Sequence, residues 1–165
     1  MGQHPETRLK HLLLARFAMV RNSLNEALDH VTDERLDFAP REGMPTIQEI
    51  LLEIAGTEEQ IRRYILEGIR VPLQEVTGPW IGSVTVSGVR ARLEAVRAET
   101  LSYLDSINDA DLETMYCFPQ DWSESLGLPE VPLREALISL AAHEAYHTGQ
   151  LVSYLWAAGE DPMAW

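Results

Sequence analysis

Residues 133–151 read LREALISLAAHEAYHTGQL, and this stretch decides how the rest of the chain is interpreted. It contains no proline or glycine between Leu133 and Thr148. Leucines recur at positions 133, 137, 140, 151 and 155, which is the spacing of one face of an α-helix. The pattern predicts a long helix over residues 133–158, ending at Gly159.

Two histidines, His143 and His147, lie four positions apart on this helix. Because a helix turns once in ~3.6 residues, their imidazoles project from the same face. His147 falls within the leucine stripe and His143 on its flank, so we expect the pair to face the protein interior or a cleft. Two neighbouring imidazoles supply half of a typical metal site.

The letters around the histidine pair permit three further interpretations. His-Glu-x-x-His is the zinc-protease signature, in which Glu144 would be the general base. Glu144-x-x-His147 is the unit that di-iron bundles use. Two histidines on a helix can also have no relation to a metal. The rest of the sequence must be used to distinguish among these interpretations.

Three other segments show helical spacing of apolar residues. They predict a first helix at about 6–30, a second from Thr46 to about Gly68, and a third at about 87–107. Thr46 and Glu49 form the sequence signature of a capping box at the start of the second helix.

The connections at 69–84 and 112–132 are long and contain several prolines and glycines. We expect the first to be a loop or short extended pieces, and Tyr116-Cys117-Phe118 in the second to have strand character. Four amphipathic helices predict an all-α protein, a four-helix bundle with long loops after the second and third helices. The length of 165 residues fits a single domain over 1–165.

Acidic residues outnumber basic ones by 26 to 13, giving a formal net charge of −13. Such a chain would be repelled by nucleic acid and by an anionic membrane surface, so we expect neither as a partner. No apolar run approaches the ~20 residues of a membrane-spanning helix, and the first residues lack a secretory apolar region. Cys117 is the only cysteine, and we expect a buried or half-buried thiol rather than a nucleophile. We therefore expect a cytoplasmic protein.

Two of the metal interpretations lack necessary partners in the sequence. No histidine follows His147, so the longer zinc-protease signature is absent. The chain has one Glu-x-x-His unit, whereas a di-iron bundle needs two. A mononuclear site is favoured, with a third donor from the second helix. That helix offers three carboxylates beside its apolar stripe: Glu53, Glu58 and Glu59.

Two blocks of the sequence resemble one known family. Residues 46–58 read TIQEILLEIAGTE, and a His-x-x-x-His-Thr-Gly-Gln-Leu block begins at residue 143. With the order of helices and loops, these blocks resemble the DinB/YfiT-like four-helix bundles over essentially the whole chain. The resemblance implies a divalent metal on three histidines, one from the second helix and two from the fourth. His143 and His147 match two of them, whereas Glu53 stands in the position of the third.

The resemblance also implies metal-dependent thiol chemistry, in which a low-molecular-weight thiol is added to an electrophile. Because a Lewis-acid cation lowers the pKa of a bound thiol or water, we expect S-transferase-type or hydrolase chemistry on a small molecule. Glu144 is the candidate catalytic residue if it turns toward the site. With Glu53 as a ligand, Zn, Ni, Fe or Mn can serve as the metal. The alternative is a non-catalytic bundle with a degenerate metal site that serves binding or assembly. In either case the outer helix faces suggest a homodimer.

Overall fold

The computed structural model describes residues 8–82, 84–119, 122 and 127–165, and these residues are mostly helical. The α-helices are α1 (Arg8–Leu28), α2 (Ile47–Glu67), α3 (Leu73–Thr77), α4 (Val86–Ser106) and α5 (Leu133–Ala157). Two short strands, β1 (Met115–Cys117) and β2 (Glu130–Pro132), pair antiparallel with Tyr116 opposite Val131. Among the described residues, no helix combines the length and apolar character that a membrane crossing needs.

The prediction of an all-α chain is confirmed, and apart from the start of the first helix the bounds of the four long helices lie within two residues of the predicted ones. The predicted start of the first helix at residue 6 lies outside the described residues. The connection at 69–84 is not a plain loop, because it contains the five-residue helix α3. Pro72 immediately precedes that helix, and its buried Val76 and its contact with α2 hold so short a helix in place. The described part of the chain therefore holds one helix more than the predicted four.

Local sequence fixes both ends of α2, the helix that carries the carboxylates considered above. Thr46 Oγ1 accepts a hydrogen bond from the Glu49 backbone, and Glu49 Oε2 accepts one from the Thr46 N–H over 2.7 Å. The predicted capping box is therefore present. At the other end, Gly68 takes the left-handed conformation with φ 66°, which glycine adopts without a side-chain penalty. The extent of α2 along the bundle is set by these two caps.

The long helices pack so that α5 contacts α1 and α2, and α4 contacts α2 and α1. Their buried faces form two apolar clusters. One cluster joins the C-terminal halves of α1 and α5 to the N-terminal halves of α2 and α4. The other joins the N-terminal halves of α1 and α5 to the C-terminal half of α4. The core is thus divided along the length of the helices.

A layer of charged side chains, three of them buried and one half-buried, lies between the two apolar clusters, one from each long helix. We call it the charge layer, and it consists of Arg21 (α1), Glu58 (α2), Arg97 (α4) and Glu144 (α5). Arg97 donates to Glu58 over 2.8 and 3.1 Å and also contacts a Glu144 oxygen. Arg21 donates to the two Glu144 oxygens over 2.8 and 3.2 Å. The two positive and two negative charges cancel within the layer.

Additional contacts compensate the cost of burying these charges. The Arg97 guanidinium lies 4.4 Å from the centre of the Phe17 ring and donates to the Phe17 carbonyl oxygen over 3.1 Å. Arg21 donates to the Leu93 carbonyl oxygen over 2.8 Å. Burial alone would lower the pKa of Arg97, but Glu58 and then Glu144 outweigh it and raise that pKa above its ordinary value. Arg97 therefore stays charged in the core.

Removing one member of the charge layer should destabilise the fold strongly. We expect Arg97→Met to lower the free energy of unfolding by about 3–5 kcal/mol, because it leaves buried carboxylate charge without its main partner. The matched control is Arg90→Met on the same helix, where Arg90 pairs with the exposed Asp29. That change should cost no more than about 1 kcal/mol. Urea unfolding followed by circular dichroism measures both, and equal losses would contradict the assignment.

Candidate metal centre

Helix α5 brings the two predicted histidine ligands together on one face. The Nε2 atoms of His143 and His147 lie 3.0 Å apart, and the ring centres are 4.3 Å apart. The His147 side chain is 8% exposed and that of His143 is 27% exposed. One imidazole is therefore embedded in the bundle, while the other lies at the edge of a cleft.

Glu53 reaches the same point from α2. Its Oε1 lies 3.6 Å from His147 Nε2 and 3.9 Å from His143 Nε2. Ligand atoms of the three residues all lie within 4.8 Å of one another, so the predicted convergence is present. The three separations place one common point about 2.1 Å from each atom, which is the usual distance of a divalent metal from imidazole nitrogen or carboxylate oxygen. The three side chains are therefore compatible with binding a single divalent ion.

Gln150 orients the buried imidazole. His147 Nδ1 lies 2.7 Å from Gln150 Oε1, and an amide oxygen can only accept, so Nδ1 carries the hydrogen. The Nε2 lone pair of neutral His147 then points toward Glu53 and His143. Gln150 in turn donates from its side-chain nitrogen to the Tyr146 hydroxyl over 3.3 Å. Gln150 was not among the residues predicted from the sequence, although its place three residues after a candidate ligand is a usable signal for such an orienting partner.

The charge states of two donors suit a cation. The His143 imidazole lowers the pKa of Glu53 more than burial raises it, and His147 adds to the lowering. Burial lowers the pKa of His147, and the neighbouring His143 lowers it further. At neutral pH Glu53 is therefore ionised and His147 is neutral, which are the forms that bind metal ions.

A catalytic role for Glu144 was predicted on the condition that its side chain turns toward the metal centre, and the structure places its carboxylate on Arg21 and Arg97 instead. Its carboxylate is 2% exposed and is held by Arg21 and Arg97 in the charge layer. Residues 143 and 144 are adjacent on a helix, so their side chains diverge by about 100°. A catalytic role for Glu144 stays an untested prediction, and its contacts favour a structural role.

The other two carboxylates considered as third donors are also occupied elsewhere. Glu58 belongs to the charge layer, and Glu59 pairs with Arg92 on α4. Glu53, one or more turns earlier on α2, is the member of the three whose oxygen lies beside the imidazoles.

Cys117 is exposed rather than buried or half-buried as expected. Its Sγ lies 3.0 Å from a carboxylate oxygen of Glu130 on the paired strand. That hydrogen bond and the negative charge of Glu130 raise the pKa of the thiol. A raised pKa keeps the thiol protonated, which agrees with the expectation that Cys117 is not a nucleophile.

Two cavities adjoin the donor residues. One has a volume of about 240 Å³ and includes His143 in its wall. The other has a volume of about 380 Å³ and includes Glu53 in its wall, together with Glu49 and residues of α3. Among the described residues, no lining residue is common to the two cavities. Small molecules can therefore approach the donor set from two separate spaces.

Solved structures share this architecture at low sequence identity. The chain aligns with DfsB, a sibling lethal factor precursor, at a TM-score of 0.71 and 15% identity, covering 96% of this chain and 100% of that one. It aligns with a putative DinB family member from Exiguobacterium sibiricum 255-15 at a TM-score of 0.65 and 19% identity, covering 94% of this chain and 95% of that one. An uncharacterised protein from Escherichia coli UTI89 gives a TM-score of 0.66 at 13% identity, covering 92% and 95%. These similarities show a shared fold.

Sequence comparison identifies the family. No curated protein matches the chain. The sequence model of the DinB superfamily matches residues 16–151, a range that contains Glu53, His143 and His147. Since this match spans most of the sequence and agrees with the shared fold, the chain belongs to the DinB superfamily.

Proposed function

We propose that the protein is a metal-dependent enzyme that activates a thiol or a water molecule at a mononuclear centre held by Glu53, His143 and His147. The single observation that supports it best is the convergence of three ligand atoms around one point about 2.1 Å from each. Two neutral imidazoles and one carboxylate suit Zn, Ni, Fe or Mn. With three protein ligands, a four- to six-coordinate ion keeps at least one position for substrate.

When bound, the cation would act as a Lewis acid that lowers the pKa of a coordinated thiol or water. The residues of the chain supply the frame for this chemistry. Gln150 holds His147 in the tautomer that presents Nε2, and the partly exposed Glu53 lies toward the solvent side of the centre. Metal-dependent S-transfer or hydrolysis on a small molecule, with a low-molecular-weight thiol as one substrate, is the reaction class that this arrangement supports.

The negative charge of the protein argues for small-molecule substrates rather than polyanions. A formal charge of −13 repels both nucleic acid and anionic lipid surfaces. We further propose that the protein is located in the cytoplasm and that it forms a homodimer.

One observation favours a second candidate function. The position at which the family resemblance implies a histidine holds Glu53, whose side chain is 39% exposed. A solvent-accessible carboxylate binds softer metal ions such as Zn²⁺ less tightly than a third imidazole would. The alternative is therefore a non-catalytic bundle with a degenerate metal site that serves binding or assembly.

Metal titration of Glu53 variants tests the donor set. We expect Glu53→Ala to weaken Zn²⁺ binding by more than about 100-fold, since losing a direct ligand exceeds the 10–100-fold effect of losing an orienting partner. Glu53→His should keep tight Zn²⁺ binding and lose Mn²⁺ relative to the parent, because an imidazole is a softer donor than a carboxylate. Glu59→Ala is the matched control on the same helix and should bind both ions as the parent does. Calorimetry on chelator-stripped protein without a histidine tag gives these affinities.

Three outcomes of this titration are informative. Equal Zn²⁺ affinity of the parent and Glu53→Ala would remove Glu53 from the donor set. A parent that binds no divalent ion, combined with tight binding by Glu53→His, would establish the degenerate-site alternative. Tight binding by the parent, lost in Glu53→Ala, supports the proposed centre.

The pH dependence of metal affinity gives a second test. Imidazoles must be deprotonated to bind, so protons compete with the metal as the pH falls. Because the pKa of His147 lies below its ordinary value of about 6.5, competition at this ligand begins at a lower pH than for a free histidine. We expect Zn²⁺ affinity to change little between about pH 8 and pH 7 and to fall by up to about tenfold per pH unit for each displaced proton below about pH 6. A competition titration with a chromophoric chelator measures it, and an affinity unchanged down to about pH 5 would contradict histidine ligation.

A further inference from the structure

The 240 Å³ cavity beside the metal centre differs in chemistry from the rest of this acidic protein. Its described walls contain no Asp, Glu, Lys or Arg. They are formed by Ile61, Phe118, Trp122 and Ala136, with Thr57, Gln60, Ser139 and His143 as the polar members. A charged group entering this space would lose its hydration without gaining a charged partner, which is costly. The described walls therefore favour an uncharged, largely apolar group.

The aromatic wall of the cavity is built before any ligand arrives. The Tyr64 ring lies 5.5 Å from Phe118 and 5.6 Å from Trp122, and the Phe118 and Trp122 rings are 5.9 Å apart. Tyr64 also donates a hydrogen bond to the Cys117 carbonyl oxygen over 2.6 Å, which ties the end of β1 to α2. These separations are those at which aromatic rings attract one another in tilted or edge-on arrangements. The wall thus presents ring surfaces held by mutual contacts.

The size of the cavity fits one or two rings. An apolar protein cavity of about 150 Å³ is enough to bind benzene. The cavity of 240 Å³ is larger than the benzene-binding cavity by roughly the volume that a second fused ring needs.

The position of His143 connects this cavity to the metal centre. His143 contributes to the cavity wall, and its Nε2 is one of the three converging donor atoms. Thr57, which also lines the cavity, is one helical turn after Glu53 on α2. A molecule that fills the cavity would contact the ligand set and extend away from it along α2.

We propose that this cavity binds the aromatic or other flat apolar part of an uncharged substrate and holds it against the metal centre. The role of the bound group in a reaction rests on the proposed function, whereas binding itself does not require the metal. The second cavity, with Glu49 and Glu53 in its wall, remains for the more polar reactant. The substrate class is thus an uncharged molecule with one or two aromatic rings and a reactive group at the end nearest His143.

Binding of 2-naphthol to metal-free protein tests the cavity independently of the metal centre. We expect saturable one-to-one binding by calorimetry, in chelator-stripped and in Zn²⁺-loaded protein. Ser139→Phe places a ring inside the cavity and should weaken 2-naphthol binding by at least about tenfold through steric exclusion. Zn²⁺ affinity of this variant should match that of the parent. The same change at the exposed Ser153 on α5 is the matched control and should leave both affinities unchanged.

A second blocking variant guards against misfolding. If circular dichroism shows that Ser139→Phe does not fold, Thr57→Leu on the facing helix takes its place, with the same expected loss. No saturable 2-naphthol binding to the parent, or equal binding to the parent and a folded blocking variant, would overturn the proposal. Zn²⁺ binding in the absence of 2-naphthol binding would leave the proposed function intact. Binding of 2-naphthol without any Zn²⁺ binding would keep the cavity proposal and remove the metal-dependent function.

Discussion

The constraint on which the structure depends is the neutrality of its buried charge layer. Each of the four long helices contributes one member, and every member touches partners on at least two other helices. An unpaired charge in the core costs several kcal/mol. Each helix must therefore take the position along the bundle axis at which its charged side chain meets its partners. Apolar side chains above and below the layer can adjust to one another, but the guanidinium and carboxylate groups need defined geometry.

The metal centre takes its geometry from the same helices. Glu58 in the charge layer fixes the position of α2, and Glu53 precedes it by little more than one turn. Glu144 fixes α5, and it lies between the two histidines in sequence. The relative position of the donors Glu53, His143 and His147 therefore follows from how α2 and α5 are aligned along the bundle. The contact of Gln150 with His147 supports it further. The buried charge layer thus fixes the helices inside the bundle, while Glu53 and His143 stay accessible at its surface.

Much of the fold could be read from the sequence because the determining signals are local. Apolar spacing located the long helices, and Thr46 with Glu49 located the start of α2. The spacing of His143 and His147 located two of the three donors, whereas Glu53 was chosen among three carboxylates through the family resemblance. The charge layer could not be predicted this way, since Arg21 and Glu144 are separated by 123 positions and their pairing depends on helix packing. The contacts of Glu144 could not be predicted for the same reason, and α3 was missed because a five-residue helix carries too little periodic signal.

The neutral layer also bears on how this sequence can diverge. Replacing one of its four charges leaves the others unbalanced, whereas an exchange of two partners can keep the sum at zero. Descendant sequences should therefore change positions 58, 97, 21 and 144 in concert, through compensating pairs. Glu144, which completes the His-Glu-x-x-His pattern, is thus held at its position by helix packing, independently of any catalytic role. A protease-like signature can therefore be produced by the requirements of core packing alone.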